Sequence, residues 1–293
     1  MGLAEWALLV ILSILWGGSF FFAEVALQEF SPLAIVTLRV TISAFALWAF
    51  ILPARYPLPG SWRTWLAFLW LGIVNNAVPF SLIVWGQTGV SSSLASILNA
   101  ATPIFTVIVA GLFLKDEPVT LPKIAGVLSG LAGVAILVGP GLLANGDSQL
   151  PYQLAVLGGG LSYAIAAVYA RRFAGMNIAP VVIAAAQLLA STIVMWPLLL
   201  AVEGPGEWRA TAPVWLSVFG LALLSTAVAY ILYFKVLESA GATNLLLVTL
   251  LIPVTATLLG ILFLGEALHW THAAGIGVIA IGLSAIDGRL WRR

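Results

Sequence analysis

Apolar runs of about twenty residues alternate along the chain with short clusters of charges, prolines and turn residues. This pattern marks ten segments, at 6–27, 33–52, 65–85, 91–114, 121–139, 152–170, 178–201, 213–235, 242–264 and 272–288. A helix of about 20 apolar residues spans the hydrocarbon core of a bilayer. Each segment therefore predicts one crossing, and the expected fold class is all-α integral membrane with ten transmembrane helices. The longest connections, 140–151 and 203–213, are too short to hold a soluble domain. Nearly every face of every segment is apolar, so periodicity does not separate lipid-facing from buried sides. Small and polar residues mark the interior instead.

Composition and charge sharpen this picture. Hydrophobic residues make up 62% of the chain and charged residues 8%, against about a quarter charged in soluble domains. With no cysteine, disulfides and thiolate-held metals are excluded. The first segment is too long for a signal-peptide core and reads as a retained span. With the N-terminus inside, Arg55, Arg63, Lys115, Lys123, Arg171, Arg172, Lys235, Arg289, Arg292 and Arg293 all fall on the cytoplasmic side. Arg209 alone falls in an outer loop, and Arg39 lies within a span. This bias predicts cytoplasmic N- and C-termini. Glu29, Asp147, Glu203, Glu207 and Glu266 gather on the opposite side.

The chain also repeats itself. Asn75-Asn76-Ala77-Val78-Pro79-Phe80 matches Ser225-Thr226-Ala227-Val228-Ala229-Tyr230 at a shift of 150 positions, and Pro103 meets Pro253 at the same shift. Phe113-Leu114 then meets Phe263-Leu264, and after one deletion Glu117, Gly126 and Gly133 meet Glu266, Gly275 and Gly282. Five spans per half is an odd number, so the second half enters the membrane upside down. The expected organisation is two inverted-topology five-helix repeats, 1–144 and 150–293. Such repeats are a transporter signature, with the site near the midplane between them.

These residues resemble a family. Trp16-Gly17 in the first helix, a midspan proline, Phe-Leu, a loop glutamate and glycines nine and sixteen residues after it are similar to the EamA-type branch of the drug/metabolite transporter superfamily. The resemblance covers essentially the whole chain. It implies a bacterial inner-membrane exporter of small metabolites, often amino acids, with a central cavity between the halves. Aromatic amino-acid exporters are one such group. The second half departs from the pattern, with Tyr163-Ala164 where a second Trp-Gly would stand.

The candidate pathway residues are the polar and aromatic groups at mid-depth. Pro103 cannot donate to the carbonyl four residues back and frees that of Asn99; Pro253 does the same for Thr249. A break is therefore expected in both helices. Ser92, Ser96, Asn99, Pro103 and Thr106 share one helix face, a polar stripe read as pathway lining rather than small-residue helix packing. Thr102 and Ser19 join the candidates. Asn75 and Asn76, beside Pro79, either face a cavity or bond a neighbouring helix at a kink. Ser225 and Thr226 match them in the second half. Trp16 with Tyr163, and Phe80 with Tyr230, are matched aromatics. Aromatic walls with amides suit a zwitterionic or cationic substrate with an apolar side chain. Its polar head is expected nearer the first repeat, and its apolar part against Tyr163 and Tyr230.

Other groups read as structural. Gly126, Gly130, Gly133, Gly275, Gly277 and Gly282 predict close helix packing. Arg39 is expected to pair with Glu24 across the first hairpin rather than to meet a substrate carboxylate. Glu266, His269 and His272 have a spacing open to a metal but read as a solvated helix cap. No phosphate loop, nucleophile with its base or paired carboxylate is present, so neither an enzyme nor a cofactor or metal is expected.

The sequence thus points to a monomeric exporter of an amino acid or similar metabolite, contacting membrane lipid and no nucleic acid. No acid lies at mid-depth to carry a proton, which favours facilitated diffusion or exchange. The alternatives are an exporter of cationic drugs or other small metabolites, and a passive channel.

Overall fold

A computed structural model describes residues 2–114, 120–143, 149–206, 208–245, 247–267 and 269–286; Lys115, Glu117, Asp147, Glu207, Leu246, Arg289, Trp291, Arg292 and Arg293 lie outside them. Among the described residues there are ten helical segments and no strand. They are α1 (Leu3–Ala26), α2 (Pro32–Ile51), α3 (Trp62–Gly86), α4 (Ser92–Phe113), α5 (Leu121–Leu143), α6 (Leu150–Ala170), α7 (Pro180–Val202), α8 (Ala212–Gly241), α9 (Leu247–Leu264) and α10 (Trp270–Ile286). Eight are long and apolar enough to cross a membrane; α5 and α10 contribute shorter apolar stretches, Leu121–Leu137 and Trp270–Gly282.

Local chemistry sets the helix ends. Ser31 caps α2, its hydroxyl accepting from Ala34 N at 3.1 Å, with Pro32 in the first turn, where a missing N–H costs nothing. Gly241, at φ 79°, supplies the left-handed residue that closes α8. The start of α4 is satisfied from both repeats. Ser91 Oγ accepts from Leu94 N at 3.2 Å, while the Glu266 carboxylate accepts from Ser92 N at 2.8 Å and Ser93 N at 3.0 Å. Glu266 is therefore not a solvated cap of its own helix, as the sequence suggested. It crosses to the first repeat because carboxylate charge is favoured at a helix N-terminus with free N–H groups.

Packing follows the pseudo-symmetry of the sequence. α1 lies along α9 and α8, and α6 correspondingly lies along α4 and α3. α2 pairs with α7, and α5 with α10. Close approach is built with glycine: a Cβ on Gly282 would stand 2.7 Å from Gly126 O, and one on Gly133 2.9 Å from Gly275 O. The glycine pattern thus reports α5–α10 contact, although Gly277 has open space beside it. Phe113 and Phe263, matched by the repeat, are 74% and 68% exposed on the outer surface, where lipid is the solvent.

Both matched motifs of the third spans are π-helical, Ile73–Ala77 in α3 and Gly220–Val228 in α8. A π-turn carries one extra residue and shifts the phase of the side chains beyond it. The prolines behave differently. α4 is broken at Ala100 and Ala101, which have ψ of −9° each, and Pro103 falls in the first turn of the following helix. α9 runs unbroken through Pro253. The second expected break is absent, and Ile252 stands where Thr102 of α4 supplies a hydroxyl to the freed carbonyl.

Candidate functional site

A cavity of about 680 Å³ lies between the halves. This is a size at which pockets enclose small organic molecules. At one end of the bundle, which carries Arg55, Arg63, Arg171, Arg172 and Lys235, its lining reaches Phe173, Pro180 and Leu237 close to the helix ends. Towards the other end, which carries Glu29, Glu203 and Glu266, it stops at Ala23 and Gln87.

Beyond that limit the halves and spans are tied together. Gln87 Nε2 donates to Phe20 O at 2.9 Å and to Glu24 Oε2 at 3.2 Å. Glu266 holds the start of α4, and Thr211 N donates to Glu29 Oε2 at 2.6 Å. Gln87, Glu24, Glu29 and Glu266 are thus held in hydrogen bonds at the acidic end.

Thirteen of the residues singled out in the sequence meet in this cavity: Trp16, Ser19, Asn75, Phe80, Ser96, Asn99, Thr102, Pro103, Tyr163, Ser225, Thr226, Tyr230 and Thr249. The polar stripe of α4 lines it from Ser96 to Thr106, whereas Ser92 lies buried at the helix start. Asn76 and Pro253 do not line it. Asn76 is wholly buried, its Nδ2 donating to Ser191 Oγ at 3.2 Å and its Oδ1 accepting from Tyr230 OH at 3.3 Å. Both asparagines bond α7, Asn75 through Gln187 and Asn76 through Ser191, and only Asn75 lines the cavity. Pro253 is buried within α9.

The freed Asn99 carbonyl is also taken, since Thr102 Oγ1 donates to it at 2.7 Å. What the α4 break offers the cavity is the Asn99 side chain rather than the carbonyl.

Four polar lining residues were not picked out as pathway groups by the sequence: Arg39, Gln87, Gln187 and Tyr233. Gln187 accepts from Asn75 Nδ2 at 3.0 Å and donates through Nε2 to Tyr230 OH at 3.4 Å, which joins amides of both halves around one phenol. Its signal was available as a lone long amide in the apolar run 178–201. Tyr233 packs against Trp16 with ring centroids 5.6 Å apart.

Arg39 does not pair with Glu24. Its Nε donates to Thr226 Oγ1 at 2.9 Å, and its guanidinium lies 3.5 Å from the centroid of the Phe80 ring. Glu24 turns instead to Gln87. The hairpin argument matched depth along two helices but could not see that the inward face of α2 looks at the π-turn of α8. Among the described residues no group of three or more His, Cys, Asp or Glu side chains could hold a metal.

Sequence comparison also divides the chain into two halves. The model of the EamA-like transporter family matches twice, at residues 4–139 and 150–286. The chain belongs to the EamA-like transporter family. An uncharacterized transporter of Archaeoglobus fulgidus is 26% identical over 285 residues, covering 95% of this chain and 97% of that protein. The uncharacterized transporter YoaV of Bacillus subtilis is 24% identical, covering 94% of each chain. The uncharacterized inner membrane transporter YedA of Escherichia coli K12 is 27% identical, covering 94% of this chain and 88% of its own. A solved crystal structure at 22% identity superposes over 100% of both chains with a TM-score of 0.70, which shows a shared fold. This EamA-like protein is thus a multi-pass membrane transporter of small molecules, in a family of transporters rather than enzymes.

Proposed function

We propose that the protein exports small metabolites, amino acids with an aromatic or other apolar side chain foremost, by alternating access of repeats 1–144 and 150–293. The observation that carries this reading is the cavity between the halves, polar at mid-depth, reaching the basic end and stopped by inter-helix hydrogen bonds at the acidic end. Ten crossings with both termini in the cytoplasm make the basic end the cytoplasmic one, and the described conformation then faces inward. Asn75, Asn99, Thr249 and Tyr230 are the groups assigned to the substrate's polar part, and Trp16, Phe80 and Tyr163 to its apolar part. Transport runs as facilitated diffusion or exchange, since no carboxylate lines the cavity among the described residues.

A passive channel asks for a lining that is polar and open from end to end, and the ties at Gln87 and Glu266 speak against it. The test is efflux of a panel of amino acids from vesicles, repeated with Asn99→Ala and Thr249→Ala. Saturable efflux reduced in both variants is expected. Normal transport by both removes the binding role of this region, unitary electrical currents favour the channel, and strict dependence on a proton gradient ends the uncoupled reading.

A further inference from the structure

The guanidinium of Arg39 is the one charged group in the lining of the cavity among the described residues. Arginine stays protonated under all ordinary conditions, and a charge at this depth is costly unless it is paired. The protein supplies only part of that pairing. Nε is held by Thr226, whose own hydroxyl donates to Leu221 O at 2.9 Å inside the π-turn. One face of the guanidinium lies on Phe80, and Tyr163 meets the same ring edge-on at a centroid distance of 6.4 Å.

These contacts fix the plane and the direction of the fork, while Nη1 and Nη2 donate to no described protein group. Next to Thr226, Ser225 also lines the cavity, and its buried Oγ has no hydrogen-bond partner. A planar two-donor fork, oriented but unspent, is the geometry that receives an oxyanion. Glu24, which the sequence paired with Arg39, accepts instead from Gln87 and does not line the cavity.

We propose that Arg39 is the anion receptor of the cavity, and that it selects substrates carrying a carboxylate. Both Nη groups take the carboxylate oxygens, and Thr226 and Phe80 hold the fork in place. The same arrangement repels a cationic head that brings no carboxylate, so cationic drugs are poor substrates. This proposal rests on the transport-cavity reading for its setting but is a statement about binding.

The test uses the full-length protein in lipid nanodiscs and four probes that differ only in their head: L-phenylalanine, 3-phenylpropanoate, L-phenylalaninamide and phenethylamine. Calorimetric titration is expected to show binding of the two acids, with the amide and amine weaker by about tenfold to a hundredfold, the scale of a hydrogen bond to a charged group. Arg39→Gln should remove that preference, and Arg39→Lys should restore part of it, as a point charge without the planar fork. The comparison among probes in the unaltered protein needs no variant to fold. Failure of both acids to bind it, equal binding of acid and amine, or an unchanged acid preference in Arg39→Gln overturns the proposal. Flux of the same probes in proteoliposomes separates the two readings. Arg39-dependent binding without flux removes the exporter and leaves the receptor, and flux of the amine at the rate of the acid does the reverse.

Discussion

α4 and α9 carry a proline at the same place in the repeat and resolve it in opposite ways. In α4 the backbone between Asn99 and Thr102 flattens into a turn, with Ala101 N bonding Leu98 O at 3.1 Å, three residues back. Thr102 Oγ1 takes the carbonyl that Pro103 leaves free. In α9 the corresponding residues are Leu250, Leu251 and Ile252. None offers a hydroxyl to the carbonyl, and the helix stays whole. α9 is also pressed from outside. A Cβ on Gly17 would stand 2.2 Å from Thr255 Oγ1 and 2.9 Å from Ala256 N, so α1 lies directly against its backbone. The lesson is that a membrane proline supplies an unpaired carbonyl, and its neighbours decide whether that becomes a break.

The comparison can be broken most severely at Gly17. Gly17→Val pushes a side chain into backbone atoms that cannot yield, and α1 must lift from α9. The expected loss is about 3 kcal/mol or more, above the usual cost of overpacking, read as a large fall in thermal stability of the detergent-solubilised protein. A variant as stable as the parent would show that α1 does not hold α9 straight.

Glu266→Ala attacks the other member by leaving Ser92 N and Ser93 N without partners. About 2 kcal/mol is expected, given about 1–3 for each buried unsatisfied group. Glu266→Gln should lose less, because the amide oxygen still accepts. Equal losses for the two would mean that the side chain matters only by filling space.

Two tyrosines of the second half offer a further contrast. Tyr230→Phe strands Asn76 Oδ1 and should cost about 1–2 kcal/mol. Tyr163→Phe, whose hydroxyl has no hydrogen bond to a described protein group, should cost about nothing. Comparable unfolding temperatures for the two would remove the phenol from the centre of the amide cluster.

The smallest effect tests the break itself. Thr102→Val should cost about 1 kcal/mol, the net worth of one hydrogen bond. Ile252→Thr should lend α9 the hydroxyl it lacks and change stability by a few tenths of a kcal/mol. Spin labels at the two ends of α9 are expected to move closer in Ile252→Thr. An unchanged separation would assign the straightness of α9 to its packing against α1 alone.

Much of the molecule was legible in the sequence because a membrane leaves polar residues few reasons to be present. The shift of 150 positions matched Asn75-Asn76 to Ser225-Thr226, which stood out against apolar neighbours, although that both motifs are π-helical was not expected. The stripe from Ser96 to Thr106 lay on one face for the same reason. What was not legible depends on phase and partners. Asn76 faces away from the cavity towards Ser191, and which of two adjacent asparagines faces inward depends on the phase of the helix. Arg39 and Glu24 share a depth, yet the helix facing Arg39 is 187 positions away in sequence. Gln187 was readable as an isolated amide, but the phenol it meets belongs to a different helix of its own repeat.

The clasp of Glu266 on α4 sets an order of events during biosynthesis. The N–H groups of Ser92 and Ser93 are made early and acquire their acceptor only after 174 and 173 further residues have been added. Until the turn after α9 emerges from the ribosome, the first repeat holds a helix terminus that its own residues cover only through Ser91. The first half is thus unfinished by itself, and the last loop to be made is the piece that closes it. Halves produced as separate chains should find each other, with the first stabilised by the second and weakened by Glu266→Ala in that partner. A first half equally protease-resistant alone and in company would show that the nascent chain does not wait.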